Sequence, residues 1–186
     1  MNHHKVKLKK EYIIKSERLG FRNWLPSDEV PFIEMCKDEL VMEHFPKPLS
    51  EEETLGLISR LNIHFKEHGY CYFAVDLLET DEFIGFTGFA KQTWESDYTP
   101  CVDMGWRLKR SAWGKGYATE AAAACLEAAY AKFGLKDVLA FTTDTNLASQ
   151  KVMTKIGMQY AGTIQHPAII NDSRFEHCVV YKWKHL

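Results

Sequence analysis

The sequence lacks the features that mark several classes of protein. Its five cysteines are an odd number without a Cys-x-x-Cys pair, so we expect neither a disulfide framework nor a cysteine-rich zinc site. Among the eight histidines we expect neither a His-x-x-x-His nor a His-Glu-x-x-His spacing on a helix, and therefore no metal. No run approaches the roughly 18 apolar residues of a membrane span, and no apolar segment follows the basic N-terminus. These absences predict a soluble protein of the reducing cytoplasm without a membrane partner.

An excess of positive charge is also missing. Lys and Arg number 23 and Asp and Glu number 25, a formal net charge of −2. This balance leaves no basic surface of the kind that nucleic acid binding requires, so we expect no nucleic acid partner. The one basic cluster, HHKVKLKK at residues 3–10, favours a solvated or frayed terminus. It alone motivates the alternative of a protein associated with nucleic acid.

Linker-like stretches and internal repeats are absent as well. The 186 residues are 46% apolar, which is enough to fill the core of one ordinary domain. We predict a flexible segment at residues 1–10 and a single domain over residues 11–186. The sequence leaves open whether the protein is a monomer or a homodimer.

Helices and strands both alternate and cluster along the chain. Residues 11–24 indicate a strand with a turn, and Ser27 or Asp28 can cap a short helix. Ser50 and Glu53 form a capping box before an amphipathic helix that ends near Gly69. The segments CYFAVDLLE, EFIGFTGFAKQTW and TPCVDMGWRL predict an antiparallel meander.

The second half of the chain begins with a long alanine-rich helix that stops at Gly134. Cys125 lies on the apolar stripe of this helix and is interpreted as a core residue. A short strand, DVLAFTT, a helix over NLASQKVMTKIG and the strands MQYAGTIQ and EHCVVYKW follow. The order of elements predicts an α/β fold with a central mixed, mostly antiparallel sheet and flanking helices.

The stretch SAWGKGYATEAA places two glycines and a lysine between a strand and the long helix. Backbone N–H groups at a helix N-terminus form an anion site, and Gly114 and Gly116 would leave room for a phosphate near Lys115. A tight turn without a ligand fits the same residues. The spacing matches neither the Walker A loop nor Gly-x-Gly-x-x-Gly.

Two motifs in this order, MGWRLKRSAWGKGYATEA and NLASQKVMTKIGM, resemble the GNAT acetyltransferase superfamily, in particular its ribosomal-protein N-acetyltransferase (RimJ/RimL) branch. The similarity extends from RLGFRNWLPSD through EFIGFTGF to HCVVYKW. Gly116 and Ala118 match the last two positions of the superfamily's Gln/Arg-x-x-Gly-x-Gly/Ala loop, and Trp113 replaces its Gln/Arg.

The resemblance implies that acetyl-CoA lies in a wedge between two splayed strands, without a metal. It places the pyrophosphate on the loop residues Gly114, Lys115, Gly116, Tyr117, Ala118 and Thr119. It places the pantetheine against the backbone of Trp106, Arg107 and Leu108. Asn146 matches the asparagine that binds pantetheine, although it would also serve as a helix N-cap.

The resemblance also implies direct acetyl transfer to a primary amine of a protein N-terminus or a small molecule. A backbone N–H at the end of VDMGWRL would hold the oxyanion. Met153 stands where many members of the superfamily carry a tyrosine that donates a proton. Ser149 matches a serine of this branch and would either donate that proton or only bind the coenzyme.

Asp103 is a candidate base, with an ion pair to Arg107 as the alternative. The segments near Glu43 and His44 and at residues 92–99 would shape the acceptor pocket. Aromatic residues would either line this pocket or simply pack in the sheet: Trp94, Trp106, Trp113, Tyr160 and Tyr181. The missing tyrosine leaves a catalytically inactive acyl-CoA-binding module as the alternative function.

Overall fold

A computed structural model describes residues 10–165, 172 and 177–185 of the chain. The described strands are β1 (Ile14–Lys15), β2 (Leu19–Arg22), β3 (Tyr72–Leu77), β4 (Glu82–Gln92), β5 (Cys101–Leu108), β6 (Asp137–Thr143), β7 (Gln159–Ile164) and β8 (Cys178–Lys184). The described α-helices are α1 (Glu29–Lys37), α2 (Glu51–His68), α3 (Tyr117–Phe133) and α4 (Leu147–Lys155). Short 3₁₀ turns precede α1 and α3. Most of the basic N-terminal segment, residues 1–9, lies outside the described residues.

The eight strands form one mixed sheet in the order β1-β2-β3-β4-β5-β6-β8-β7. The predicted meander of β3, β4 and β5 is confirmed, because each pairs antiparallel with the next. The pair of β5 and β6 is parallel, and a single Cα pair, Asp103 with Leu139, joins the two strands. Beyond this pair the strands diverge toward their C-terminal ends, as the predicted splayed-strand fold requires.

Local capping chemistry sets the ends of the helices largely as predicted. The Glu53 N–H donates to Ser50 Oγ over 3.1 Å, and the Ser50 N–H donates to Glu53 Oε2 over 2.8 Å, which confirms the capping box of α2. Gly69 and Gly134 adopt left-handed conformations at the ends of α2 and α3. Asp28 stands at the N-cap of α1 but makes no side-chain cap, because its carboxylate binds Arg22 instead.

Helices cover both faces of the sheet. Phe32 of α1 packs edge-on against Phe86 of β4, with ring centroids 6.0 Å apart. Cys125 of α3 hydrogen-bonds Thr87, the neighbour of Phe86 in β4. Because adjacent side chains of a strand point to opposite faces, α1 and α3 lie on opposite sides of β4. Cys125 is fully buried there, in agreement with its interpretation as a core residue.

A buried ion network ties the start of the chain to the sheet. The guanidinium of Arg22 donates to both carboxylate oxygens of Asp28 and of Asp76, over 2.6 to 2.8 Å. Lys10 Nζ also donates to Asp76, over 2.7 Å. These pairs satisfy a charge that burial alone would disfavour. Among the helices that the structure describes, none is both long and apolar enough to span a bilayer.

Candidate active site

A cavity of about 790 Å³ occupies the wedge between β5 and β6. Its walls come from β5, the loop before α3, the ends of β6 and α4, and the segment between α1 and α2. Five residues that the sequence suggested for the site line this cavity: Asp103, Gly114, Gly116, Asn146 and Ser149. These five predicted site residues therefore meet in one place, although they are spread over nearly fifty positions of the chain.

The register of β4 and β5 decides which backbone groups face the wedge. Gly85 pairs with Leu108, and the Lys109 N–H donates to the Ile84 carbonyl over 2.9 Å. Hydrogen-bonded pairs alternate along an antiparallel ladder, so Arg107 directs its backbone groups to β4, whereas Trp106 and Leu108 direct theirs into the wedge. The Leu108 carbonyl already accepts a hydrogen bond of 2.8 Å from the Trp113 indole. Arg107 consequently reaches the cavity with its side chain and not with its backbone.

Two glycines in left-handed conformations form the loop before α3 and leave the N-terminus of this helix without a covering side chain. Gly114 has φ +73° and Gly116, the N-cap of α3, has φ +80°, a left-handed conformation that favours glycine. No side chain caps this helix, so the N–H groups of its first turn, from Tyr117 to Thr119, are donors without an intrahelical partner. A Cβ at Gly114 would meet no atom within 4 Å. Conformation therefore explains the glycines, and the open space above them fits an anionic group.

Arg18 braces this loop and was not anticipated from the sequence. Its Nε donates to Glu120 Oε2 over 2.6 Å, and its Nη1 donates to the Lys115 carbonyl over 3.1 Å. Its guanidinium also lies 4.5 Å from the centre of the Tyr117 ring. Lys115 itself is exposed, and its side chain does not contribute to the cavity wall.

The start of α4 forms the opposite wall. Asn146 Oδ1 accepts the Ser149 N–H over 3.1 Å, which confirms the N-cap role of the asparagine, and Asn146 also lines the cavity. Ser149 is half-buried at the cavity wall. Met153, at the position of the missing tyrosine, lines the cavity and is otherwise buried in the core.

Asp103 is held by two neutral donors. The Tyr72 hydroxyl donates to the two carboxylate oxygens over 2.7 and 2.8 Å, and Gln92 Nε2 donates to Oδ1 over 3.0 Å. Burial raises the pKa of Asp103 to about 6, although the bonds from Gln92 and Tyr72 lower it. Burial, and next the charge of Asp103, raise the pKa of the Tyr72 phenol well above its usual value. Tyr72 therefore stays a donor to Asp103 at neutral pH.

The ion pair between Asp103 and Arg107 is not formed. Arg107 Nη1 donates to Cys36 Sγ over 3.4 Å, and its guanidinium carbon lies 3.9 Å from the centre of the Phe45 ring. Burial lowers the pKa of Arg107. The two charged groups share one face of β5 but have separate partners.

Two segments that were expected to shape an acceptor pocket do line the cavity. His44 Nδ1 lies 3.3 Å from Thr143 Oγ1 and connects the segment after α1 to the end of β6. The Trp94 ring, after β4, meets Phe141 of β6 at 5.4 Å between centroids. Among the aromatic residues with a suggested pocket role, Trp106 and Trp113 also line the cavity. Tyr160 and Tyr181 instead pair with each other on β7 and β8.

The described residues contain no cluster of three or more His, Cys, Asp or Glu side chains able to hold a metal ion. One His-x-x-x-His pair, His64 and His68, does occur on α2, with ring centroids 4.4 Å apart. The expectation that no such spacing lies on a helix is therefore wrong. His64 Nε2 accepts the Lys91 N–H over 3.3 Å, and burial lowers the pKa of this imidazole. All five cysteines are free thiols.

Comparison with known proteins identifies the framework around this cavity. The family model described as Acetyltransferase (GNAT) domain matches residues 18–159. The chain belongs to the GNAT acetyltransferase family. A curated relative, the uncharacterized N-acetyltransferase YnaD of Bacillus subtilis strain 168, is 32% identical over 149 residues, which cover 80% of this chain and 84% of the relative.

Solved GNAT structures share the fold over nearly the whole chain. A GNAT acetyltransferase from Bacillus anthracis superposes with a TM-score of 0.77 at 27% identity and covers 92% of this chain and 97% of its own. RimL, a ribosomal L7/L12 alpha-N-protein acetyltransferase solved with coenzyme A, has a TM-score of 0.73 at 17% identity. The match covers 94% of this chain and 98% of the RimL chain. The predicted GNAT family and the predicted GNAT fold are confirmed, and RimL shares that fold. The protein is an N-acetyltransferase, and acetyl-CoA is the donor used by its family.

Proposed function

We propose that this GNAT enzyme transfers an acetyl group directly from acetyl-CoA to a primary amine in the cavity between β5 and β6. The observation that carries the proposal is that one cavity contains both the unpartnered N–H groups at the start of α3 and the Asp103 carboxylate, whose pKa burial raises to about 6. The first would hold a phosphate, and the second would take a proton from an amine.

The residues of the wedge fit acetyl-CoA. Gly114, Gly116 and the first-turn N–H groups from Tyr117 to Thr119 would hold the pyrophosphate, because a helix N-terminus with free donors favours anions. The Trp106 backbone and the Asn146 amide would hold the pantetheine. When bound, acetyl-CoA supplies an activated thioester carbonyl to the amine.

Asp103 would act as the base. An amine must lose a proton before it attacks, and a carboxylate with a pKa of about 6 is mostly ionised at neutral pH and able to accept that proton. Because burial disfavours its charge, protonation of Asp103 removes a desolvation cost. Tyr72 and Gln92 hold the carboxylate in place during this step.

Ser149 would supply the proton to the departing sulfur, and the Trp106 N–H, directed into the wedge, would donate to the developing oxyanion. Met153 supplies no proton, which leaves Ser149 as the hydroxyl candidate of α4. No covalent intermediate with the protein is required, since acetyl passes directly between the two substrates.

The test is the release of free thiol from acetyl-CoA across a panel of amines and N-terminal peptides, with wild type and Asp103→Asn. We expect turnover on at least one amine by wild type and a loss of roughly 100-fold or more in Asp103→Asn with acetyl-CoA affinity unchanged. Uptake of acetyl-CoA without turnover on any amine or peptide would favour a binding module instead.

A further inference from the structure

Arg107 is a buried cation without a counter-charge among the residues that the structure describes. It is 9% exposed and lines the cavity. Its Nη1 donates to the neutral Cys36 thiol, and its Nε is buried without a hydrogen-bond partner. A buried charge that is not paired is costly, so this arrangement needs a reason.

Arg22 provides an internal comparison, because it is also buried but is fully paired. It is 2% exposed and donates to the carboxylates of Asp28 and Asp76. The same fold thus neutralises one buried arginine with two acids and gives the other none. Only the unpaired arginine lies at the cavity.

Aromatic rings hold the Arg107 guanidinium in a defined orientation. Its central carbon lies 3.9 Å from the Phe45 centroid and 5.3 Å from the Phe86 centroid. Contacts with ring faces compensate part of the desolvation but leave the N–H edge of a guanidinium free to donate. Nε is covered by its surroundings and has no hydrogen-bond partner, whereas Nη2, which has no described hydrogen bond, is the donor that a carboxylate in the cavity would reach.

The position of Arg107 favours an anion on the acceptor and not on the coenzyme. Its side chain lies on the face of β5 that carries Asp103 and contacts Cys36 of α1 and Phe45 of the α1–α2 segment. The free N–H groups proposed to hold the pyrophosphate belong to α3, which covers the opposite face of β4. Arg107 therefore belongs to the wall proposed to receive the amine.

We propose that Arg107 binds a carboxylate of the acceptor, so that the substrate class is an amine whose molecule also carries a carboxylate. This inference rests on the proposed acetyl transfer. Asp103 and Arg107 are four residues apart on one strand, about 13 Å between Cα atoms, and both face the cavity. The acidic group would receive the amine end of the acceptor, and the basic group would bind its carboxylate end.

The experiment compares kcat/KM for amines in matched sets: ω-amino acids of increasing length, their primary amides and the corresponding aminoalkyl phosphates. The enzymes are wild type, Arg107→Gln, Arg107→Lys and Arg60→Gln, the last removing an exposed arginine of α2. We expect wild type and Arg60→Gln to prefer at least one carboxylate over its amide by about 10- to 100-fold, as charged hydrogen bonds provide. In Arg107→Gln the ratio of kcat/KM for a carboxylate over its matched amide should fall close to one.

Several results would overturn the inference while leaving acetyl transfer intact. These are equal use of carboxylates and amides by wild type, a carboxylate preference that survives in Arg107→Gln, a stronger preference for phosphates, or an Arg107→Gln defect confined to acetyl-CoA affinity. Absence of turnover on every amine would instead contradict the proposed function.

A second measurement on wild type does not depend on the folding of the variants. Carboxylic acids that match the preferred acceptor but lack its amine should inhibit competitively against the acceptor and not against acetyl-CoA. Failure of such acids to inhibit at concentrations where the matched acceptor saturates would refute carboxylate binding at this site.

Discussion

Two opposing effects act on the ionised form of Asp103. Burial disfavours this form, and hydrogen bonds partly stabilise it. Burial raises its pKa to about 6, whereas donation from Gln92 and Tyr72 lowers it. A carboxylate in this balance changes protonation state close to the pH at which an enzyme works. Its immediate partners should therefore tune the pH dependence of turnover.

Replacement of Tyr72 by Phe should shift the acidic limb of the pH profile. Because the Tyr72 hydroxyl stabilises the ionised Asp103 carboxylate, its removal should move the acidic limb of kcat/KM to a pH above about 6. A smaller fraction of Asp103 would then be ionised at neutral pH. The measurement is kcat/KM against pH with one acceptor for wild type and Tyr72→Phe. Tyr70→Phe is the matched control, because that buried tyrosine has no described contact with Asp103. An unchanged limb in Tyr72→Phe would argue against Asp103 as the base.

Ser149 permits a separate test at the opposite wall of the cavity. If its hydroxyl delivers the proton to sulfur, Ser149→Ala should lower kcat on the order of 100-fold and change the Kd of acetyl-CoA little. The Ser149 backbone N–H, which donates to Asn146 Oδ1, is unaffected by the change. Calorimetric binding and steady-state turnover measure the two quantities. Equal losses in both would make Ser149 a coenzyme-binding residue only.

At the scale of elements, the loop before α3 combines a conformational demand with a proposed binding role. Gly116 has φ +80° and Gly69, at the end of α2, has φ +77°. A Cβ at Gly69 would meet no atom within 4 Å, and one at Gly116 would meet Arg18 Nη2 at 3.6 Å, an ordinary van der Waals contact. The two glycines thus carry a similar backbone penalty on substitution. They differ in that only Gly116 borders the cavity.

This likeness gives a matched pair of variants. Gly116→Val and Gly69→Val should each lose at least about 1–2 kcal/mol of unfolding free energy, because a branched residue is strained in a left-handed conformation. Only Gly116→Val should also lose more than about tenfold in acetyl-CoA affinity, since its side chain would enter the phosphate space. Denaturant unfolding and calorimetry measure the two effects. Retained affinity in a folded Gly116→Val protein would contradict the loop assignment.

At the scale of the whole molecule, the sheet consists of two ladders joined at one point. Strands β1 to β5 pair continuously, as do β6, β8 and β7, but β5 and β6 share a single Cα pair. A ligand in the wedge would contact both ladders. Binding there should therefore hold together two strands that share only one registered residue pair.

Hydrogen exchange should reveal this bridging. With free acetyl-CoA at 100 times its Kd, amides that exchange only on global unfolding should gain about 2.7 kcal/mol of protection, roughly 100-fold in rate. Amides at the wedge, at residues 104–108, and at the first turn of α3 should also slow. Mass spectrometry of exchange with and without acetyl-CoA measures both. Protection confined to the surface of β7 and β8 would place the ligand elsewhere.

The sequence by itself determined what depends on short-range chemistry. The capping box of Ser50 and Glu53, the helix stop at Gly134 and the loop at Gly114 and Gly116 follow from neighbours a few residues apart, and the structure bears out each element. The paired motifs also predicted the family, because the loop and the Asn146 helix occur in fixed order. The placement of the coenzyme and the catalytic roles of Asp103 and Ser149 stay predictions.

Only the tertiary structure decided which charged groups meet. Asp103 and Arg107 share one face of a strand, which suggested an ion pair, yet Asp103 bonds Tyr72, 31 positions away, and Arg107 contacts Cys36, 71 positions away. Side-chain partners at such distances depend on how α1, the segment after it and three strands pack together, and no local pattern records that packing. The unpaired charge of Arg107, and with it the proposed acceptor class, emerges only from the folded chain.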